Sequence, residues 1–493
     1  MNGVETLSDA LGLNMEWLLV GTGGRSFPVT SREISISVDP RGALFGYVDV
    51  SGGRLRRLRG VRPAENGYEL DLAGPFGIEA ETVRLVRRTR AAELAAEIER
   101  SRESLANQCS ELFADAHPGS RVLSVRLDPP GGRIALFEIS GTPTGRRAGI
   151  ADVTGTIDPA SLLASAMLTS ERLAARRRFP IGRISILVEE RIAARISRLH
   201  ALLSAPWRDR IELKTIDRRA ERCRLTRLEP RSLASLWTDK SDRFDMPPAQ
   251  RRSRTSLAIA SMAPDAIDII TSRRGETLRF NGLPFARVRM IGGREAAWFG
   301  IGRSSAMLDA GSMGGLRELI SELASYRCAE SADRRHSFFR SSPESWLESL
   351  VQRDVSALDP NLILSPVYHQ FRAAGERLDL LALRGDGRLI VIELKAGPDR
   401  RAVFQAAEYW RRIELQRRRG DLARANLFGG REIADMPAAV YLAGPAWSFS
   451  EDVELFSRAL TPEIELWRFE LHQDWRSSIR VTGRRCAGDR DSY

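Results

Sequence analysis

The 493-residue chain has few of the residues from which zinc sites and disulfide frameworks are built. Its four cysteines and five histidines are scattered along the whole length with no short ligand spacing. They are Cys109, Cys223, Cys328 and Cys486, and His117, His200, His336, His369 and His472. This distribution argues against a zinc knuckle, a disulfide framework and a zinc hydrolase.

Long apolar runs are also missing. No stretch of eighteen consecutive apolar residues occurs, and Met1–Glu5 lacks the basic-then-apolar layout of a signal peptide. The apolar fraction of 43% and the mean hydropathy of -0.26 are typical of a globular protein. We therefore expect a cytoplasmic protein without a membrane partner.

Lysine is the scarcest charged residue, since only three of the 75 basic residues are lysines: Lys214, Lys240 and Lys395. The net charge of +11 suits a polyanionic partner such as nucleic acid, although a compositional bias toward arginine produces the same surplus. A lysine retained against this bias needs a chemical reason, because arginine is always charged and is not a compact ammonium with a tunable pKa.

Composition and strand or helix periodicity predict a multidomain α/β (α+β) protein. We expect a mixed central sheet flanked by helices in its carboxy-terminal domain. The predicted parts are a β-rich module over residues 1–90, an α/β domain over 91–228, a basic linker or loop over 229–257, a small β/α module over 258–335 and a second α/β domain over 336–493.

The same order of predicted elements occurs twice along the chain, which indicates an internal repeat. Gly132–Gly141 parallels Gly387–Gly397, and Arg210–Leu213 parallels Glu463–Leu466. This alignment places Glu138 opposite Glu393 and Ser140 opposite Lys395. The first copy would then be catalytically inactive, whereas convergent βα patterning remains the alternative explanation.

Two apolar runs, Leu378–Arg384 and Arg388–Lys395, flank a Gly-Asp-Gly turn and predict a β-hairpin. If Arg384 faces Arg388, Asp379 lies opposite Glu393 with Cβ atoms about 4.5–5.5 Å apart. Lys395 then shares the face of Glu393. Two facing carboxylates in apolar surroundings need a cation, and Mg²⁺ is the usual one where water and phosphate complete the ligand set.

At these residues the chain resembles the PD-(D/E)xK, or restriction-endonuclease-like, nuclease superfamily. Asp379 is followed by thirteen residues and then by Glu393-Leu394-Lys395, and Leu378 stands where the family has proline. Gln405 and Tyr409, on the predicted helix that follows, resemble the Q-x-x-x-Y signature of the RecB-like branch. The likeness covers about residues 342–481.

The resemblance implies a metal-dependent nuclease whose catalytic residues are Asp379, Glu393, Lys395, Gln405, Tyr409 and an acid on the preceding helix. That acid is Glu348, with Glu344 as the alternative. It also implies metal ligation by Asp379, Glu393 and Glu348, with Mg²⁺ as the cofactor and Mn²⁺ as a substitute. The expected partner is nucleic acid, DNA in the first place, and whether the chain forms a homodimer is left open.

Other interpretations of the same residues remain. Asp379 and Glu393 could be a pair at a solvated sheet end, and Gln405 and Tyr409 could simply pack a helix on the sheet. In that case the protein would be a catalytically inactive nucleic-acid-binding or assembly protein. The second Glu-Leu-Lys triplet, Glu212–Lys214, has no partner strand with an aspartate in hairpin register and is not expected to be catalytic.

Overall fold

The structure is a computed structural model of the full chain. It describes residues 2–12, 16–21, 26–31, 33–40, 42–49, 52–64, 67–73, 80–88, 91–128, 132–141, 145–217, 224–238, 252–272, 275–301, 305–364, 372–373, 376–377 and 379–487. The predicted linker over 229–257 lies in part outside these residues.

The protein has a mixed α/β fold, as the sequence predicts. Its chain divides into two compact units, the first formed by residues 1–196 and 209–229 and the second by residues 197–208 and 230–493. The finer division into five parts stays a prediction.

A seven-stranded antiparallel sheet opens unit 1. Its elements are α1 (Asn2–Gly12), β1 (Glu16–Gly21), β2 (Ser26–Thr30), β3 (Ile34–Asp39), β4 (Gly42–Asp49), β5 (Gly52–Ala64), β6 (Gly67–Ala73) and β7 (Ala80–Arg87). The strand order is β2-β1-β7-β6-β5-β4-β3. Alternate side chains such as Trp17, Phe45, Leu70 and Leu85 form one apolar core with Leu7 of α1.

The rest of unit 1 is built around a six-stranded mixed sheet, although residues 197–208, which form the end of α4 and most of α5, are grouped with unit 2. Its elements are α2 (Ala91–Asp115), β8 (Val122–Leu127), β9 (Ile134–Ser140), β10 (Arg146–Asp152), α3 (Pro159–Ala174), β11 (Ile184–Glu189), α4 (Glu190–Ala201), α5 (Ala205–Arg210), β12 (Ile211–Asp217) and β13 (Arg224–Arg227). The order is β8-β9-β10-β11-β12-β13, and only the pairs β10–β11 and β11–β12 are parallel.

Unit 2 begins with a five-stranded antiparallel sheet. The elements are α6 (Leu233–Leu236), α7 (Arg254–Ala260), β14 (Ile267–Ser272), β15 (Gly275–Phe280), β16 (Leu283–Ile291), β17 (Arg294–Phe299), β18 (Ala306–Met307), α8 (Met313–Tyr326) and α9 (Ser337–Arg340). One face of this sheet packs against α7 and α8 through Ile259, Leu278, Val288, Leu316 and Leu323.

A second six-stranded mixed sheet completes unit 2. Its elements are α10 (Pro343–Arg353), β19 (Leu362–Leu364), β20 (Arg372–Ala373), β21 (Glu376–Arg377), β22 (Leu380–Arg384), β23 (Leu389–Leu394), α11 (Ala402–Arg418), α12 (Asp421–Arg424), β24 (Ala439–Pro445), α13 (Asp452–Arg458), β25 (Glu465–Leu471) and β26 (Val481–Cys486). The order is β19-β22-β23-β24-β25-β26, while β20 and β21 pair separately.

The predicted hairpin is confirmed, with its register. Leu380 pairs with Ile392 and Leu383 with Leu389, as expected if Arg384 faces Arg388. Every residue of β23 is buried because β22 and β24 flank it and helices cover the sheet. The charged residues at the ends of this strand therefore lie next to an apolar core that excludes water.

The two six-stranded sheets have the same strand order and the same strand directions. One part of the predicted repeat alignment is nevertheless wrong. By sheet order the counterpart of β23 is β10, whereas the alignment had chosen β9, which is antiparallel to both neighbours. Both strands of a buried hairpin are apolar, so local similarity could not tell β9 from β10.

Helix α10 is anchored at its start by the buried side chain of Arg327. Arg327 is fully buried and donates hydrogen bonds to the carbonyl oxygens of Phe280 (3.0 Å) and Phe338 (2.6 Å) and to that of Ser341 (2.8 Å), next to the start of the helix. Burial, together with the charge of Arg476, lowers the pKa of Arg327 to about 9. The side chain of Ser342 forms no cap hydrogen bond at the start of α10, so carbonyl contacts such as these hold the chain there.

At the other end of α10, Arg353 contacts Asp268 of β14 at 3.1 Å and Asn281 at 2.9 Å. Gly282 lies against the helix so closely that an added Cβ would meet the carbonyl oxygen of Ser345 at 1.9 Å, and its φ is +81°. The five-stranded sheet therefore fixes the position of α10.

Among the described residues, no helix is long and apolar enough to cross a membrane.

We predict that Arg327→Met destabilises the protein by at least ~3 kcal/mol, because several buried carbonyl groups lose their donor. Chemical denaturation would measure the change. Arg317→Met is the matched control, since Arg317 is exposed on helix α8, which ends directly before Arg327. Equal stability of the two variants would contradict the role given to Arg327.

Candidate active site

The β22–β23 hairpin brings Asp379 and Glu393 to the same end of the sheet. Asp379 directly precedes β22, and Glu393 is the penultimate residue of β23. The Asp379 Oδ2 atom accepts a hydrogen bond of 2.8 Å from the backbone N–H of Leu394, which places the two carboxylates beside each other. Asp379 and Glu393 are therefore cross-strand neighbours, as the hairpin register predicts.

Glu393 is buried with one oxygen bonded and one oxygen bare. Its Oε1 atom lies 2.9 Å from Lys395 Nζ, whereas its Oε2 atom is buried with no hydrogen-bond partner among the described residues. Burial raises the pKa of Glu393 to about 7, and Lys395 limits the rise. An unsatisfied buried carboxylate oxygen is costly, and this one remains able to accept a ligand.

Asp379 is also buried close to other carboxylates. Burial, the charge of Glu393 and the charge of Glu348 raise the pKa of Asp379 well above its usual range. The Leu394 N–H and the charge of Lys395 oppose this shift without cancelling it. Three carboxylates thus act on one another in a region with one lysine.

Lys395 continues from the end of β23 and is 5% exposed. Its ammonium contacts Glu393 at 2.9 Å and Asp399 at 3.5 Å, and it donates to Gln405 Oε1 at 2.9 Å. Burial alone would lower the pKa of Lys395, but Glu393, Glu344 and Asp399 raise it above its ordinary value. The ammonium is therefore charged and fixed in place.

Helix α10 places two acidic residues near this site. Glu348 is buried and acts on Asp379, while exposed Glu344, one turn earlier, raises the pKa of Glu393. The carboxylate of Glu348 also lies 3.6 Å from the guanidinium of Arg279 in β15. Both proposed acids thus face the hairpin, and Glu348 has a cationic neighbour.

The following helix, α11, supplies Gln405, whose amide oxygen holds Lys395. Tyr409, one turn further along the same face, is buried, and the guanidinium carbon of Arg412 lies 5.9 Å from its ring centroid. Gln405 therefore belongs to the candidate site, because it contacts Lys395. A role for Tyr409 remains a prediction.

Sequence reasoning missed two residues of the site. Asp399 contacts Lys395 within the loop between β23 and α11, where no helical or strand periodicity could have identified it. Arg279 lies 69 positions before Glu348, and no local pattern links them.

The donor set fits a hard divalent cation held by few protein ligands. Among the described residues, no group of three or more His, Cys, Asp or Glu side chains is arranged as a ready metal site. The bare Oε2 of Glu393, beside Asp379, offers carboxylate oxygen of the kind that Mg²⁺ binds when water and phosphate complete its coordination. Ligation by Glu348 stays a prediction.

Unit 1 holds its charged groups differently. Glu138 is bound by Arg176 through two hydrogen bonds of 2.8 and 2.9 Å, and this arginine lowers the pKa of Glu138. Lys214 lies 3.5 Å from Glu212 and 3.3 Å from His117 Nε2. In the β9–β10 hairpin of unit 1, Asp152 lies opposite Ile134. The described residues of this hairpin therefore contain no facing carboxylate pair like Asp379 and Glu393.

Comparisons with known proteins add little to this geometry. No protein-family model matches the sequence, and no curated protein matches it. A solved structure of EndoMS in apo form is similar over 38% of this chain and 84% of that chain, with 12% identity and a TM-score of 0.14. A TM-score this low carries no argument about fold or function.

The raised carboxylate pKa values predict how stability depends on pH in metal-free buffer. Glu393 titrates near 7 in the folded protein and near 4.5 in the unfolded chain, so the folded state holds more protons between these values. Stability should fall by up to about 3 kcal/mol as pH rises from 4.5 through 7. Thermal unfolding in EDTA would measure this, and Asp379→Asn should raise stability at pH 8.

Asp386→Asn provides the matched control on the same hairpin. Arg384 lowers the pKa of Asp386 to about 2, so this variant should keep the parent's pH profile between 5 and 8. A parent protein that grows more stable across that range would contradict the assignment.

Proposed function

We propose that the chain is a metal-dependent nuclease that hydrolyses phosphodiester bonds of nucleic acid, DNA in the first place. The observation that carries the proposal is the bare, buried Oε2 of Glu393 beside the crowded carboxylate of Asp379. A folded protein tolerates such a pair when a cation neutralises it during function. Mg²⁺, or Mn²⁺ in its place, is that cation.

Asp379 and Glu393 would hold the metal, with Glu348 as a third acidic group close by. The bound metal would supply Lewis-acid polarisation of a phosphoryl oxygen and acidify a water molecule. Glu348 adds negative charge that favours cation binding, and its neighbour Arg279 limits the repulsion within the site.

Lys395 provides the fixed positive charge of the site. Gln405 and Asp399 hold its ammonium, so that the charge is oriented before substrate arrives. A preorganised ammonium stabilises the additional negative charge that a phosphate develops in the transition state. Arginine in this position would not replace it, because a planar guanidinium needs more room than this buried, fully contacted position offers.

One further feature supports the nuclease over the rival, a nucleic-acid-binding or assembly protein with a structural hairpin. A structural ion pair would satisfy both carboxylate oxygens, as Arg176 does for Glu138 in unit 1. Glu393 keeps one oxygen bare. The positive net charge of +11 fits a nucleic-acid partner under either proposal.

Unit 1 is proposed to be an inactive relative of the carboxy-terminal sheet. The common strand order favours duplication, and the described part of its hairpin has no facing carboxylates. This unit would enlarge the nucleic-acid surface or take the place of a second subunit.

We predict that Asp379→Asn and Lys395→Ala each lower Mg²⁺-dependent cleavage of labelled DNA by at least ~100-fold, because each removes charge that acts on the reacting phosphate. Binding in EDTA should stay close to the parent value, since arginine–phosphate contacts elsewhere provide it. Cleavage rates and binding curves on single- and double-stranded DNA would measure both effects.

The matched controls lie in unit 1. Lys214→Met changes the other Glu-Leu-Lys lysine, and Glu138→Ala removes the carboxylate first aligned with Glu393. Both controls should cleave like the parent. Full cleavage by Asp379→Asn, or loss of cleavage in the controls while they remain folded, would refute the proposal.

A further inference from the structure

The five-stranded sheet of unit 2 separates its charges between its two faces. On the face covered by α7, Glu276 accepts hydrogen bonds from Ser253, and Glu295 accepts them from Arg254 and Thr255. These carboxylates cap the amino-terminal end of α7. Both acids are therefore already bonded on the helix-covered side.

The opposite face of the same sheet is basic. Cross-strand pairing places Thr277, Arg287, Trp298 and Met307 in one row, because residues paired across strands share a face. Strand alternation adds three more arginines to this face. We call Arg279, Arg287, Arg289, Arg294 and Trp298 the arginine face.

The outer three arginines of this face are exposed to solvent. Arg287, Arg289 and Arg294 are all exposed, and none forms an ion pair with a carboxylate of the described residues. Asp268 lies at the edge of the face, where Arg353 and Ser349 of α10 already bind it. The face thus carries uncompensated positive charge around a half-buried tryptophan ring.

The inner end of the arginine face reaches the candidate active site. Arg279 is paired across the strands with Asp268, and its guanidinium lies 3.6 Å from Glu348. Glu348 in turn acts on Asp379. A polyanion lying along this face would therefore present a phosphate beside the carboxylates of the hairpin.

We propose that the arginine face binds unpaired nucleic acid and leads a single strand into the site. The inference rests on the proposed function for the identity of the polyanion. Arginines neutralise backbone phosphates, and a partly exposed aromatic ring on a sheet can stack on an unpaired base, whereas a duplex keeps its base faces covered. The occupant is therefore a single strand.

Fluorescence anisotropy in EDTA tests this without cleavage, using a labelled single-stranded oligonucleotide and the matching duplex over a series of salt concentrations. The double variant Arg287→Ala/Arg289→Ala should weaken single-strand binding at least about tenfold and reduce the slope of log Kd against log salt by about 1.4. Trp298→Leu should weaken single-strand binding about tenfold and duplex binding far less.

Arg317→Ala, an exposed arginine on α8, is the control and should leave both affinities unchanged. Parent-like affinity and slope in the double arginine variant would overturn the proposal, as would an equal loss of single-strand and duplex binding in Trp298→Leu. The binding assay needs no catalysis. Normal cleavage by Asp379→Asn would therefore refute the proposed nuclease site and leave the binding result for the arginine face unchanged.

Discussion

The crowding of carboxylates around Lys395 is the constraint on which the rest of the site depends. Asp379 and Glu393 are neighbours because the hairpin register requires it, and the apolar strand β23 keeps water away from them. One ammonium cannot neutralise several acids, so Glu393 retains a bare oxygen and a pKa near 7. The surrounding structure keeps an unfavourable arrangement in place, as is common at functional sites.

That arrangement needs rigid support from outside the hairpin. Arg327 holds the chain where α10 begins through backbone carbonyl groups, and Arg353 ties the end of the helix to Asp268. The five-stranded sheet therefore positions Glu348, although it contributes no residue to the Asp379–Lys395 pattern.

The sequence predicted the local parts of this structure and missed the long-range ones. The hairpin and its register follow from strand alternation and a short turn, which involve near neighbours in sequence. The position of Gln405 beside Lys395 was implied only by the resemblance to the Q-x-x-x-Y signature. The contact between Arg279 and Glu348 depends on how two sheets are packed, and no periodicity reports that. The predicted repeat alignment matched β23 with β9, whereas its counterpart in the sheet is the neighbouring strand β10. Both β9 and β10 are apolar, so only sheet order distinguishes them.

The central claim is that Asp379 and Glu393 form a cation site, and direct metal binding tests it most simply. Titration calorimetry with Mn²⁺ in buffers of different ionisation enthalpy measures both the affinity and the protons released. Near pH 6.5 the account predicts binding to the parent with release of protons from the carboxylates, and loss of that binding in Glu393→Gln. Absence of binding to the parent, or unchanged binding to Glu393→Gln, would contradict it.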